Sequence, residues 1–181
     1  GLQSTANLAL NEDGKVSLTE GSPDIGGTRT SLSMQAAEVL GIPAEDIHPT
    51  VVDTDSIGFT FGTGGSRVTF ATGWAVHEAA KDVKQQMVER AALIWGVDAD
   101  SLHMEKGVIK SKSAPGEAMT FKELAEQTND TGGPIMGRGS VDPKGVGVAF
   151  AGLIVDVEVD PETGKVTVLR VTAVQDAGKA I

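Results

Sequence analysis

Cysteine is absent from this chain of 181 residues. Iron–sulfur clusters, thiolate nucleophiles, disulfides and the common structural zinc sites all depend on cysteine, so these residues cannot build any of them. The three histidines, His48, His77 and His103, show no metal-ligand spacing, and we expect them at the surface or at helix boundaries. The sequence therefore predicts no metal ligands within this chain.

Long apolar runs and clusters of cationic residues are also lacking. No apolar stretch approaches the ~18 residues of a membrane span, and residues 1–20 have neither the basic start nor the apolar core of a signal peptide. The net charge is −10, and nucleic-acid binding requires clustered Lys and Arg. These absences predict a soluble, cytoplasmic chain with no nucleic-acid partner, and a hydrophobic content of 40% suffices for one domain.

Glycine, in contrast, is abundant, and it concentrates in two loops that each precede a helical pattern. The first is Gly-Ser-Pro-Asp-Ile-Gly-Gly-Thr-Arg-Thr at 21–30, and the second is Gly-Thr-Gly-Gly-Ser-Arg at 62–67. Glycine lets the backbone approach a ligand closely, and the free N–H groups of a helix N-terminus favour an anion. Two such loops predict a ligand with phosphate-like groups. The alternative is that the glycines only form turns and that Thr28, Thr30 and Ser66 only cap helices.

The order of strand and helix patterns predicts an α+β fold, with a mixed or antiparallel sheet, two main helices packed on it and β-hairpins at both ends. Turn residues at 11–14 and 160–164 predict the terminal hairpins. Apolar residues at spacings of three and four predict the main helices over 31–40 and 67–95. Thr120, with Glu123 three residues later, predicts a short capped helix.

Two connectors resemble each other. The segments 41–48 and 96–103 both have a glycine cap, an apolar residue, an acidic turn and the apolar start of a strand. We interpret them as a repeated exit from helix to strand, which favours two similar helix-to-strand units packed on one sheet.

Residues 131–147 interrupt all periodicity, because glycine and proline recur throughout the segment. This composition predicts a long loop. The whole chain, 1–181, then forms one cofactor-binding domain fragment, with possible subdomains 1–130 and 148–181 joined by that loop.

Neither glycine loop matches a common nucleotide-binding motif. Walker A requires Lys and Ser or Thr directly after its last glycine, and both loops lack that pair. The pairs Gly137/Gly139 and Gly145/Gly147 lack the third glycine of a Rossmann fingerprint. A kinase-like or dinucleotide-binding site of these kinds is therefore not predicted.

Taken in order, the motifs resemble those of a known family, the molybdopterin-binding region of the large subunit in xanthine dehydrogenases and aldehyde oxidases. The matching segments cover nearly the whole chain. They are Gly21 together with residues 24–30; residues 35–43; residues 52–55; residues 63–69; residues 73–76 together with 79–80; the hairpin 155–166; and the tail 176–181.

The resemblance implies that both loops hold a molybdenum–pyranopterin cofactor and its diphosphate, in the cytosine dinucleotide form usual in bacteria. Gly26, Gly27 and Thr28 match the family's glycine–glutamine–glycine turn. Gly27 stands where members commonly carry a glutamine that contacts the cofactor, so either Arg29 or backbone N–H groups replace that contact or the site has weakened. The resemblance thus assigns the following cofactor-binding residues: Gly26, Gly27, Thr28, Arg29, Thr30, Thr63, Gly64, Gly65, Ser66 and Arg67.

Arg29 and Arg67 are candidates for bidentate contacts with phosphate oxygens. The alternative for each is a surface salt bridge to an acidic residue.

The resemblance also implies an oxidoreductase that hydroxylates aldehydes or N-heterocycles, with a glutamate near the subunit's C-terminus as general base. The match ends at Ile181, before that segment, so no catalytic residue is assigned and we expect the chain to be inactive alone. The implied partners are the remainder of the large subunit, the small-molecule substrate, and iron–sulfur and possibly flavin centres in other domains or subunits.

Two other functions remain open on the sequence. One is a non-catalytic anion- or nucleotide-binding module that uses the same two loops. The other is a purely structural or assembly domain in which the loops bind nothing.

Overall fold

The computed structural model describes residues 1–114 and 116–181, along which helices and strands are interspersed. The α-helices are α1 (Thr28–Leu40), α2 (Thr54–Ile57), α3 (Gly73–Trp95) and α4 (Phe121–Ala125). The β-strands are β1 (Ser4–Leu10), β2 (Val16–Glu20), β3 (Ile47–Val51), β4 (Leu102–Glu105), β5 (Val108–Ser111), β6 (Ala118–Thr120), β7 (Met136–Val141), β8 (Phe150–Val159) and β9 (Val166–Asp176). The predicted α+β fold is confirmed.

The main sheet has the strand order β3-β2-β1-β7. Strand β1 pairs antiparallel with β2 in the predicted N-terminal hairpin, and also with β7 on its other side. Strands β2 and β3 run parallel, with α1 as the crossover between them. A parallel pair needs such a crossover because its second strand must start from the same edge as its first.

Helices α1 and α3 pack against each other, and α3 also packs against β1 and β7. The predicted apolar stripe of α3 is confirmed, since Val76, Ala80, Val83, Met87 and Ala91 are completely buried. Within the described residues, no helix combines the length and the apolar character needed to cross a membrane.

The N-terminal ends of both main helices differ from the prediction. Helix α1 begins at Thr28, three residues before the predicted start. The residues before α3 form a π-helical turn, Val68–Thr72, so the regular α-helix begins at Gly73. A π-turn has no sequence signal comparable to an apolar stripe, and such turns are frequent at functional sites.

A second sheet has the order β4-β5-β6 and is followed by α4. Strands β4 and β5 form an antiparallel hairpin, and β6 pairs antiparallel with the other side of β5. The predicted capping box is confirmed, because the Thr120 hydroxyl accepts from the Glu123 backbone N–H at 3.2 Å and the Glu123 carboxylate accepts from the Thr120 N–H at 2.8 Å.

Both predicted connectors have the same structure. Gly41 and Gly96 end their helices in the left-handed conformation, with φ values of 73° and 66°, and a 3₁₀ turn follows each. The expectation of a single sheet is wrong, however, because β3 joins the main sheet and β4 joins the second one. Similar local sequence fixes the exit from a helix, but it does not fix which strand the chain then pairs with.

The prediction of an uninterrupted loop over 131–147 is wrong, because this segment contains β7. Glycine serves there to bring a strand against a helix. A Cβ atom on Gly137 would lie 2.2 Å from the carbonyl oxygen of Ala79, and one on Gly139 would lie 1.9 Å from that of Ala75. Strand β7 therefore contacts the α3 backbone directly, and only glycine leaves room for that contact.

The described residues divide into two compact units, Gly1–Lys144 and Gly145–Ile181. The second unit is a ribbon of β8 and β9, which confirms the predicted C-terminal hairpin. Apolar side chains share one face of this ribbon because residues two apart on a strand point the same way, and a register shift between Asp156 and Val157 brings Val168 and Val166 to that face as well. The cross-strand pairs on that face are Leu153–Ala173, Val155–Val171, Val157–Val168 and Val159–Val166.

We predict that Gly139→Ala lowers the free energy of unfolding of the chain by about 2 kcal/mol or more, because the new methyl group would overlap rigid backbone atoms. Urea unfolding followed by circular dichroism measures the change. The matched control is Gly145→Ala, since a Cβ atom there meets no described atom within 4 Å. Equal stability of the two variants would contradict the proposed backbone contact between β7 and α3.

Candidate functional site

Both glycine loops lie at one edge of the main sheet. Glu20, the last residue of β2, pairs with Val51, the last residue of β3, so the carboxyl ends of this parallel pair coincide. The first loop leaves from the end of β2, and the chain reaches the second loop from the end of β3 through α2. Carboxyl ends of parallel strands are where open α/β sheets usually bind ligands.

The first loop turns into α1 through two glycines in the left-handed conformation. Gly26 has φ 72° and Gly27 has φ 81°, and a Cβ atom on either would meet no described atom within 4 Å. Gly27 is the residue before α1, and the first turn of that helix contains no acidic residue. The backbone N–H of Thr30 is used within the turn, as it donates to the Gly27 carbonyl at 3.1 Å.

The Asp24 carboxylate lies beside this helix N-terminus. It accepts hydrogen bonds from the Thr28 hydroxyl and from the Arg29 backbone N–H, both at 3.2 Å. The same carboxylate lies 3.7 Å from Nε of Arg29, whose side chain is 48% exposed. The surface salt bridge considered as the alternative for Arg29 is therefore present. Asp24 thus places an anion where the sequence predicted that a bound phosphate would lie.

The second loop also contains left-handed residues. Gly65 has φ 62° and Ser66 has φ 59°, and a non-glycine residue in this region is strained. A Cβ atom on Gly64 would be in open space. The Thr63 hydroxyl oxygen is buried and lacks a hydrogen-bond partner among the described residues. Such orphaned polar atoms are uncommon in folded proteins and call for an explanation.

Arg67, which ends the second loop, is only 4% exposed. Its guanidinium donates to the carbonyl oxygens of Phe61 and Gln3, both at 2.9 Å, and to that of Leu2 at 3.2 Å. It also donates to the Ser4 hydroxyl, while its Nε has no partner within the described part of the chain. Burial lowers the pKa of Arg67 below its ordinary value.

The geometry of Arg67 excludes one of its two expected roles. A surface salt bridge is wrong for this residue because its guanidinium is buried and its hydrogen bonds go to backbone carbonyls and a serine hydroxyl. The predicted bidentate phosphate contact stays a prediction, and the Nε group has no partner among the described residues. Buried charge is costly unless hydrogen bonds compensate it, and here carbonyl groups supply them.

The start of the first loop lies against the segment that leads to the second loop. A Cβ atom on Gly21 would lie 2.8 Å from Cγ2 of Thr54 and 3.3 Å from the hydroxyl of Thr60. Thr60 in turn accepts from the Thr5 backbone N–H at 3.3 Å, which joins the approach to the second loop to β1. The first loop and the approach to the second one are therefore neighbours at this edge of the sheet, and their joint use as one binding site stays a prediction.

A cavity of about 340 Å³ lies at the same edge, and the sequence reasoning did not predict it. Its polar lining includes Arg138 and Ser140, which lie on β7 and thus inside the segment expected to be a loop. Burial alternates along β7, but the buried positions are Gly137 and Gly139, so the sequence shows no apolar alternation that could have identified the strand.

Glu20 is a further residue that the sequence reasoning missed. Its side chain is 1% exposed, and one carboxylate oxygen accepts from the Ser22 backbone N–H at 2.5 Å. Burial raises the pKa of Glu20, although the Ser22 N–H and hydroxyl and the charge of Arg29 oppose the shift. The carboxyl therefore lies in a desolvated position at the start of the first loop.

We predict that Glu20 makes stability depend on pH. Because the folded-state pKa is raised above the ordinary 4.5, its contribution to stability is fully present below that value and is lost as the pH rises through the folded pKa. The free energy of unfolding should therefore fall more over this window in the natural chain than in Glu20→Gln, measured by urea unfolding at a series of pH values. Parallel pH profiles for both chains would contradict the raised pKa.

Comparison with known proteins bears on this site. The whole chain, residues 1–181, matches the family model described as the molybdopterin cofactor-binding domain. The chain is 31% identical over 179 residues to the putative xanthine dehydrogenase molybdenum-binding subunit XdhA of Escherichia coli K12, covering 96% of this chain and 24% of the relative.

Solved structures agree with these matches. The Cu,Mo-CO dehydrogenase in its carbon monoxide-reduced state matches with a TM-score of 0.87 and 28% identity over 97% of this chain and 23% of the solved one. Quinoline 2-oxidoreductase from Pseudomonas putida 86 matches with a TM-score of 0.81 and 25% identity over 97% of this chain and 23% of the solved one.

The chain thus spans about a quarter of the length of these relatives. The comparisons do not support the alternative of a non-catalytic anion- or nucleotide-binding module. They confirm the resemblance predicted from the ordered motifs, and the chain belongs to the family of molybdopterin cofactor-binding domains found in molybdenum hydroxylases.

Proposed function

We propose that residues 1–181 form a cofactor-binding domain in which the two glycine loops together hold the diphosphate and pterin of a molybdenum–pyranopterin cofactor. The observation that carries this proposal is that both loops follow the carboxyl ends of β2 and β3, which coincide at one edge of the main sheet. The proposed cofactor contacts are Gly26, Gly27, Thr28, Arg29, Thr30, Thr63, Gly64, Gly65, Ser66 and Arg67.

The donors at this edge fit an oxygen-rich anion. Open space adjoins the backbone at Gly26, Gly27 and Gly64, so a ligand can approach the main chain closely. The buried Thr63 hydroxyl and the Nε group of Arg67 lack partners among the described residues. A bound oxygen atom could accept a hydrogen bond from either group. The residues present therefore fit the group that the family binds.

Each part of the site has a distinct role in this proposal. The N-terminus of α1 offers backbone N–H groups and a favourable dipole to one phosphate. Arg29, which is half-exposed, exchanges its contact with Asp24 for a charge-assisted contact with the ligand. Arg67 keeps the second loop in place through its carbonyl contacts. When bound, the cofactor supplies the molybdenum at which the substrate is oxidised.

We extend the proposal to the parent protein, an oxidoreductase that hydroxylates aldehydes or N-heterocycles. Support comes from the names of the relatives, which include a xanthine dehydrogenase subunit and a quinoline oxidoreductase. The chain contains no cysteine, so the iron–sulfur centres that carry electrons away belong to other domains or subunits, and we assign any flavin to those parts as well. The cytosine dinucleotide form of the cofactor is part of the same proposal.

Titration of the 181-residue chain with pyrophosphate and with cytidine diphosphate tests the proposal. We expect amide chemical shifts to change at 26–30 and 63–67 for both ligands, because both carry a diphosphate. Cytidine diphosphate should bind more tightly if the nucleotide form is correct. Shifts that spread evenly over the surface, or no shifts at all, would leave the loops as structural turns and contradict the proposal.

We predict that Asp24→Asn strengthens pyrophosphate binding about fivefold, because removing one charge at about 4 Å in water is worth about 1 kcal/mol. The substitution also weakens the competition for Arg29 and for the N–H groups of α1. Isothermal titration calorimetry measures the change.

The matched control is Asp13→Asn, which changes the net charge equally. Asp13 lies in the turn between β1 and β2, at the opposite edge of the sheet, where its carboxylate accepts from the Lys15 N–H at 3.0 Å. Equal effects of the two substitutions would mean that Asp24 acts only through net charge and does not occupy the anion position.

A further inference from the structure

A continuous row of buried hydroxyl groups connects the two glycine loops. The Ser22 hydroxyl, in the first loop, lies 2.8 Å from the Thr72 hydroxyl. The Thr72 hydroxyl donates to the Ser4 hydroxyl at 3.4 Å, and Ser4 accepts from the guanidinium of Arg67 at the end of the second loop. All four side chains are at most 4% exposed.

Thr72 is at the centre of this row. It is the last residue of the π-helical turn Val68–Thr72, which directly follows the second loop. The same turn contacts α1, because the side-chain amide of Gln35 donates to the Thr69 carbonyl at 3.0 Å. A Cβ atom on Gly73 would lie 2.0 Å from Oε1 of Gln35, so the glycine after Thr72 permits this contact.

A buried hydroxyl group is stabilising only when it is hydrogen-bonded, and losing one member of a connected row weakens the bonds of its neighbours. Within the row the Ser22 hydroxyl pairs with Thr72, and outside it the same hydroxyl interacts with the Glu20 carboxylate. Removing the Thr72 hydroxyl therefore affects both ends at once, although Ser22 and Thr72 are 50 residues apart in sequence. The row acts as a rigid link between segments that are distant along the chain.

We propose that Thr72 is a positioning residue that fixes the first glycine loop relative to the second, so that the donors of both loops face one ligand. The link between the loops is a property of the chain alone. Its importance for ligand binding rests on the proposed function, in which both loops hold one diphosphate.

Thr72→Val tests this inference because it removes the hydroxyl while nearly keeping the shape of the side chain. We expect amide hydrogen exchange to become faster in both 21–30 and 58–67, and pyrophosphate affinity to fall about tenfold, the worth of one buried hydrogen bond that connects the loops. Thr72→Ser keeps the hydroxyl, and we expect it to restore both measurements to near those of the natural chain.

Two further variants complete the design. Ser22→Ala interrupts the row from its other end, should Thr72→Val fail to fold, and we expect it to speed exchange in 58–67. Ser33→Ala is the matched control, because Ser33 is 4% exposed and its hydroxyl has no partner in the described part of the chain. Ser33→Ala should leave exchange in both loops unchanged.

Several results would overturn the inference. One is faster exchange confined to 68–73 in Thr72→Val, with the first loop and the pyrophosphate affinity unchanged. Another is a Thr72→Ser chain that behaves like Thr72→Val, since the methyl group and not the hydroxyl would then matter.

The proposed function fails separately. If the natural chain does not bind pyrophosphate while Thr72→Val still loosens both loops, the link stands and the diphosphate site is wrong. If the natural chain binds pyrophosphate at both loops while Thr72→Val keeps its affinity and exchange, the site stands and the link is wrong.

Discussion

The parallel pairing of β2 with β3 is the constraint on which the arrangement of this domain depends. Two parallel neighbours end at the same edge, so whatever follows each of them starts from the same place. An antiparallel pairing would have put one glycine loop at each end of the sheet. Because β1 runs antiparallel to β2, its first residues, Ser4 and Thr5, also lie at this edge. They add to the buried polar side chains there.

Local signals allowed much of the fold to be predicted. The stripe on α3, the turn residues of the hairpins and the capping box at Thr120 each act within a few residues, so the sequence carries them directly. Strand β7 was missed because the role of its glycines depends on Ala75 and Ala79, which are distant in sequence. A glycine that lets two backbones approach looks the same in sequence as one that forms a turn.

The candidate site was located in sequence but not understood in detail. The loops could be found because glycine pairs before a helix are conspicuous. The partners of Arg67 could not, since backbone carbonyls such as those of Gln3 and Phe61 leave no trace in the sequence of side chains. The same holds for the row from Ser22 to Ser4, whose members are ordinary hydroxyl residues until the fold brings them together.

The ribbon of β8 and β9 differs from the rest of the chain in how it can be stable. The unit Gly1–Lys144 has helices to cover its main sheet, whereas the ribbon has two strands and no second layer of its own. Isolated two-stranded ribbons are marginal in water at best. The valine-rich pairs on one of its faces, such as Val155–Val171, therefore form an exposed apolar surface. The ribbon is stabilised when another surface packs against these side chains. A solution of this chain at high concentration offers such a surface in another copy of the same ribbon, which makes self-association through β8 and β9 the main hazard in handling it.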